Sequence, residues 1–180
     1  MIRSAQFKND DQYCFIYNTP AQFDDLLIRS DGKILTEVKF INSSSPFNCN
    51  VCDDFSVSVM RELAQWLDTY FSGKVPPPFT DYVISSDSIF VKRVYKLVQN
   101  ISYGSYMTYG ELSHLYCATY GVKYMSAQAI GFALNRNPFH IIMPCHRVLG
   151  AKGKLTGYAG GLSNKAALLE LETVPFFSPI

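Results

Sequence analysis

The stretch Ile141-Ile142-Met143-Pro144-Cys145-His146-Arg147-Val148 decides how this chain is read. An apolar run delivers a cysteine directly after a proline, then a histidine and an arginine. The run predicts a buried strand or extended segment. Pro144 fixes its own φ and restrains Met143, so Cys145 sits on stiff backbone. A nucleophilic thiol must ionise, and an ordinary pKa of about 8.5 leaves only a few per cent as thiolate near neutrality. A neighbouring imidazole and guanidinium favour that ionisation. In extended backbone the His146 side chain points away from Cys145, so contact needs a turn or a bridging water. The flanking Pro, His and Arg favour a reactive thiol over the commoner buried structural cysteine.

Working outward, the chain has 180 residues, 48% hydrophobic and 17% charged, which suits a packed core and argues against disorder. No run of eighteen apolar residues occurs, so no membrane span or membrane partner is expected. The first residues lack the apolar stretch of a secretory signal. Five cysteines, an odd number, then predict reduced thiols in a cytosolic or nuclear protein. Cys49-Asn50-Val51-Cys52 has metal or redox spacing, but no second pair or nearby histidine completes a zinc site. Cys14 and Cys117 read as core or surface fillers, and His114 and His140 as satisfied structural histidines.

Charge is unevenly distributed. Residues 1–82 hold seven Lys/Arg against eleven Asp/Glu; residues 83–180 hold nine against four. Between Glu111 and Glu170 there is no acid, while Lys123, Arg136, Arg147, Lys152, Lys154 and Lys165 fall there. A polyanion would be drawn to this half alone, although a solvated basic face explains the charge equally well.

Val75-Pro76-Pro77-Pro78-Phe79 is the clearest break, and a domain boundary is expected near residue 82. Before it, Gln12–Tyr17 and Ile34–Ile41 read as strands, with Asp31-Gly32 as a hairpin turn and Ser43-Ser44-Ser45-Pro46 as a loop. Phe55–Tyr70 reads as a helix from the spacing of Val59, Leu63, Trp66, Leu67 and Tyr70, with Gly73 beyond its end. After the break, Ser88–Asn100 is an amphipathic helix with Asp87 as N-cap. Thr108-Tyr109-Gly110-Glu111 is a capping box, predicting a helix from Tyr109 to about Tyr120. Ser126 caps a further helix through Asn135. The pair fits a helix-turn-helix or an ordinary helical hairpin, and the acid-free stretch favours the former. Ala127, Ala129, Gly131 and Ala133 make the second helix slim, which suits close approach of protein or nucleic acid.

Pro144-Cys145-His146-Arg147-Val148 resembles the active-site signature of the O6-alkylguanine-DNA alkyltransferases, which include the methylated-DNA--protein-cysteine methyltransferases. The similarity runs over roughly residues 87–172. It includes Tyr103-Gly104, Thr108 to Leu112, Ala129-Ile130-Gly131, Asn135-Arg136-Asn137-Pro138 and Leu155 to Leu162. It implies an α/β protein in two domains. Residues 1–82 would form an N-terminal α/β, ribonuclease H-like domain with a small antiparallel sheet. Residues 83–180 would form a mainly helical, winged-helix-like domain with a helix-turn-helix for DNA binding and alkyl transfer.

The resemblance also implies the chemistry: single-turnover transfer of an alkyl group from O6-alkylguanine, and from O4-alkylthymine, in DNA to Cys145. No cofactor or metal takes part. His146 would act as base through a water, with Glu172 orienting it. Glu172 would lie about ten residues into a helix capped by Ser163, about 15 Å along it. Asn137 would brace the active-site turn and Tyr158 would donate to the leaving guanine. The Ala159 N–H and the carbonyls of Cys145 and Val148 would bind the base. Tyr109 would press on the phosphate beside the lesion while the base leaves the duplex. Ala127, Gln128, Ala129 and Arg136 would meet the minor groove, with Gln128 at the place of an arginine finger. Pro138 and His140 would border the pocket beside Tyr158. The partner is double-stranded DNA carrying alkylated bases. A monomer, cytoplasmic or in a eukaryote nuclear, is expected.

Two other readings compete: a lesion-binding protein without transfer, disfavoured by the presence of Cys145, and an unrelated thiol hydrolase, which would leave Tyr109 and Gly157–Leu162 unexplained.

Overall fold

The computed structural model describes residues 3–5, 13–41, 57–86 and 88–178, with backbone alone at 3–5. Gln12, the Ser43–Pro46 loop, Cys49, Cys52, Phe55 and Asp87 lie outside the described residues. The chain divides into two compact units, residues 1–83 and 84–180.

The first unit is an antiparallel sheet of β1 (Arg3–Ala5), β2 (Tyr13–Tyr17), β3 (Asp25–Ser30) and β4 (Leu35–Ile41), in that order, with α1 (Ser58–Phe71) packed on β3. β3 is the strand the sequence did not announce. Leu26, Leu27 and Ile28 are buried in succession, so it lacks the alternation of a half-buried strand. The Asp31-Gly32 turn joins β3 to β4: Asp31 Oδ1 accepts from the Lys33 and Ile34 N–H groups, and Gly32 takes φ 96°. α1 buries Val59, Met60, Leu63, Ala64, Leu67 and Tyr70. The proline stretch is strapped to this unit rather than free: Trp66 Nε1 donates to the Pro77 carbonyl at 2.6 Å, and Tyr82 bridges to Leu35. Cys14, buried in β2, is disulfide-bonded, which corrects the expectation of reduced thiols throughout; Cys117 and Cys145 are free. Pairing depends on which sulfurs meet in space, which spacing along a chain does not reveal.

The second unit is mainly helical. α2 (Ile89–Val98), α3 (Tyr109–Tyr120) and α4 (Ala127–Leu134) pack together over Val91, Val94, Leu97, Val98, Leu112, Tyr116, Ile130 and Leu134. Ser88 caps α2 with its hydroxyl. The Thr108–Glu111 capping box forms in both directions, and Gly121 ends α3 at φ 66°. Ser126 caps α4. The helix-turn-helix is therefore built from local signals at both ends of α3 and at the start of α4.

Two short connections then place the site. β5 (Met107–Thr108) pairs in parallel with β6 (Val148–Leu149), matching Met107 to Val148 and Thr108 to Leu149. β5 leads directly into Tyr109, and β6 directly follows Arg147. The pairing therefore carries the first residue of α3 to the Cys-His-Arg segment. α5 (Leu162–Leu171) packs along that segment with Lys165, Leu168, Leu169 and Glu172 on its buried face. It begins at Leu162, not under a Ser163 cap. Gly161, at φ 86°, turns the chain into the helix and leaves Ser163 inside the first turn.

Candidate active site

Cys145 is not on an extended segment. Cys145–Arg147 form one 3₁₀ turn, entered through Pro144 at ψ 54°, with Arg147 N–H donating to the Pro144 carbonyl at 3.0 Å. The apolar run itself is turn rather than strand: Ile141 takes φ 69°, and the Met143 N–H donates to the Phe139 carbonyl at 3.0 Å. The turn separates the three side chains, and each takes its own partner.

Cys145 is buried, and its sulfur lies 3.0 Å from Asn137 Nδ2. The same nitrogen donates to the carbonyls of Phe139 and Met143, while Asn137 Oδ1 accepts from the Phe139 N–H. Asn137 thus bridges the start and the end of the loop that precedes the cysteine. Burial pushes the Cys145 thiol up to about 11, and the Asn137 donor and the Lys165 cation work against that rise.

His146 and Arg147 both pair with Glu172, which the resemblance joined to His146 but not to Arg147. His146 Nε2 is 2.9 Å from Glu172 Oε1. Arg147 donates from Nε and Nη2 to the two carboxylate oxygens at 2.8 Å each, and from Nη1 to the Ile101 carbonyl. Burial opposes charge on Glu172, yet His146 and Arg147 outweigh it and hold the carboxyl well below the usual range. Burial lowers the His146 value, with Glu172 opposing. Because Nε2 faces a carboxylate, that nitrogen carries the proton, and Nδ1 is left as a buried lone pair with no hydrogen-bond partner among the described residues. The Tyr158 hydroxyl is likewise buried without a partner, with its ring 5.3 Å from that of His140 and 6.4 Å from that of His146.

Lys165 is the functional residue that sequence reasoning misplaced. It was counted among the basic residues open to a polyanion, but it is fully buried. Its Nζ donates to the carbonyls of Val148, Thr156 and Gly157 at 2.7, 2.6 and 3.1 Å, and burial pulls its pKa down to about 8. The cation holds the Thr156–Tyr158 loop against the start of β6. Helical spacing offered the signal: Lys165 falls on the same face of α5 as Leu168, Leu169 and Glu172. The Val148 carbonyl keeps a second lone pair for another donor.

A groove of about 700 Å³ opens onto the sulfur. Its lining includes Tyr109, Ala127, Gln128, Gly131, Phe132, Cys145, Tyr158 and Ala159. Tyr109 donates its hydroxyl to the Gly157 carbonyl at 3.2 Å, and its ring lies 3.7 Å from where a Cβ on Gly131 would stand. Gly131 thus leaves room for the aromatic ring beside α4. Gln128 is exposed on the same helix, and Ala129 is half-buried. Arg136 and Pro138 fall outside this groove; both line a separate cavity of about 280 Å³ with Tyr95. His140 is buried behind Tyr158 rather than bordering the groove, and His114 is exposed on α3, not a satisfied core histidine.

The fold and site together define a two-unit protein in which a buried, amide-braced thiol opens onto a helix-turn-helix groove. A family profile described as 6-O-methylguanine DNA methyltransferase, DNA binding domain, matches residues 89–174. A methylated-DNA--protein-cysteine methyltransferase of Mycobacterium leprae is 35% identical over 82% of this chain and 85% of its own. One from Methanosarcina mazei is 44% identical over 82% of this chain and 89% of its own. The crystal structure of Mycobacterium tuberculosis OGT in complex with DNA superposes with a TM-score of 0.70 at 32% identity, covering 87% of this chain and 90% of that one. The chain belongs to the methylated-DNA--protein-cysteine methyltransferase family.

Proposed function

We propose that the protein performs direct-reversal DNA repair. It takes a methyl or larger alkyl group from O6-alkylguanine, and from O4-alkylthymine, in duplex DNA onto Cys145. The observation that carries this reading is the shared groove. One cavity joins the slim face of α4 to the Cys145 sulfur, with Tyr158 at its wall. A base still stacked in a duplex could not reach so buried a sulfur, so the damaged nucleotide turns out of the helix into the groove.

His146 Nδ1, kept free as a lone pair by the Nε2–Glu172 contact, takes the thiol proton through a bridging water. The sulfur attacks the alkyl carbon, the new S–C bond forms as the C–O bond breaks, and the electron pair moves onto the base. The buried Tyr158 hydroxyl donates to the leaving base as its negative charge develops. Asn137 holds the attacking sulfur in place. The Ala159 N–H and the carbonyls of Cys145 and Val148 recognise the guanine edge. Tyr109, at the N-terminus of α3, meets the phosphate beside the lesion. Ala127, Gln128 and Ala129 enter the minor groove, Gln128 fills the space the base leaves, and Arg136 serves the backbone. Nothing cleaves the thioether to regenerate the thiol, so each molecule acts once. The protein works as a monomer, in the cytoplasm or, in a eukaryote, the nucleus, and residues 83–180 carry both binding and chemistry.

The test is to mix the protein with duplex DNA carrying O6-methylguanine, digest it and measure peptide masses. One methyl per chain on Cys145, absent in Cys145→Ser, is the expected result. Tight binding without transfer, or turnover of an ester by Cys145, would overturn the proposal.

A further inference from the structure

We infer that Phe132 is an apolar wedge for the DNA minor groove, set one helical turn from Gln128 and steadied by Arg136. The inference rests on the repair reading above, because it takes α4 as the element that meets the duplex. Phe132 is 62% exposed, yet it lines the same groove as Cys145, Tyr109 and Gln128. A single exposed phenylalanine on a surface is unremarkable in itself. Three features set this one apart.

The first is register. Gln128, Phe132 and Arg136 follow at intervals of four, so Phe132 rises from the same face of α4 as Gln128, about 6 Å further along. That is close to two base-pair steps. The second is restraint. The Arg136 guanidinium lies over the Phe132 ring, 4.9 Å from its centroid, which limits the ring's freedom before any partner arrives. The third is what surrounds it. Its neighbour three residues back, Ala129, is small, and the ring stays largely exposed with Arg136 over one face. No acid falls between Glu111 and Glu170 to repel a phosphate backbone.

The occupant that fits is the floor of a minor groove, whose sugar edges and base-step faces accept an inserted apolar side chain while phosphates on the rim face Arg136. The division of labour follows. A neutral Gln128 can hydrogen-bond an orphaned base but brings no charge. Phe132 adds contact area one turn away and helps hold the bent, opened duplex, whatever the lesion.

The experiment measures binding of an undamaged duplex at several salt concentrations, alongside methyl transfer from a duplex carrying O6-methylguanine. The proteins are wild type, Phe132→Ala, Phe132→Leu and Arg136→Ala. Phe132→Ala should bind about tenfold more weakly, with an unchanged slope of log affinity against log salt, because no phosphate contact is lost. Phe132→Leu should recover most of the affinity. Arg136→Ala should reduce that slope by about one. Wild-type affinity in Phe132→Ala, or a changed salt slope in it, would overturn the wedge. If Phe132→Ala is weakened as described while neither protein transfers a methyl, the wedge stands and the repair chemistry falls. A wild-type protein that does not bind duplex at all would overturn both.

Discussion

Asn137 Nδ2 stands 3.0 Å from Cys145 Sγ while also donating to the carbonyls of Phe139 and Met143. One amide therefore fixes the loop and aims at the sulfur proposed to accept the alkyl group. This gives the thiolate a donor at the atom where charge appears, in a setting where burial otherwise opposes that charge. The structural and chemical duties of the residue separate by substitution.

Asn137→Ala removes both. It leaves buried backbone groups unpaired, at a cost of about 1–3 kcal/mol, readable in urea denaturation. It should also lower the rate at which Cys145 reacts with a small alkylating agent at neutral pH. Asn137→Asp, which puts a charge beside the sulfur, should slow that reaction further than the alanine does.

Tyr158→Phe separates stability from chemistry in the other direction. The hydroxyl is buried without a partner, so removing it should leave thermal stability unchanged or slightly raised. Methyl transfer should fall about a hundredfold if the phenol stabilises the leaving base. Single-turnover kinetics on duplex DNA check this.

Glu172 ties the His146 and Arg147 side chains to the end of α5. Its carboxyl is held well below the usual range. Stability from this group is therefore present above the unfolded value of about 4.3 and is lost as pH falls through the folded value. Glu172→Gln should lose that acid-dependent component. It should also cost about 3 kcal/mol at neutrality, since Arg147 is left largely buried without its counter-charge. Denaturation between pH 3 and 7 measures both.

Lys165 and Cys145 pull alkaline stability in opposite directions. Lys165 is pushed down to about 8, below the unfolded value of about 10.4. Between those values the unfolded chain binds more protons, so stability rises with pH. Cys145 is pushed up to about 11, so above about 8.5 the unfolded thiol ionises first and stability falls. Lys165→Met removes the rising component and, by taking a cation from beside Cys145, strengthens the falling one. Melting curves from pH 7 to 10.5 should show a steeper alkaline decline in the variant than in wild type.

If Gln128 fills the space a flipped base leaves, as proposed, Gln128→Arg should raise the transfer rate on duplex DNA by supplying a charged, longer side chain there. Rapid-quench transfer assays on single- and double-stranded substrates locate the gain, which should appear on the duplex alone.

Much of this molecule is written locally. The capping box at Thr108, the Ser126 cap, the Gly121 stop and the apolar spacing of α1 and α2 place their helices, because each signal acts within a turn of the residue that carries it. The Pro144–Val148 motif likewise carries the family resemblance, and the family to which the chain belongs is legible in it. What the chain order does not contain is which groups meet once elements pack. β3 is buried along successive residues and shows no alternation. The disulfide of Cys14 depends on which sulfurs meet in space. The 3₁₀ turn brings Arg147, as well as His146, onto Glu172, 25 positions away from the arginine, and burial turns Lys165 from a surface charge into an internal brace. Short-range torsional and capping preferences can be read from neighbours, whereas pairing and desolvation are properties of contacts between residues far apart in the chain.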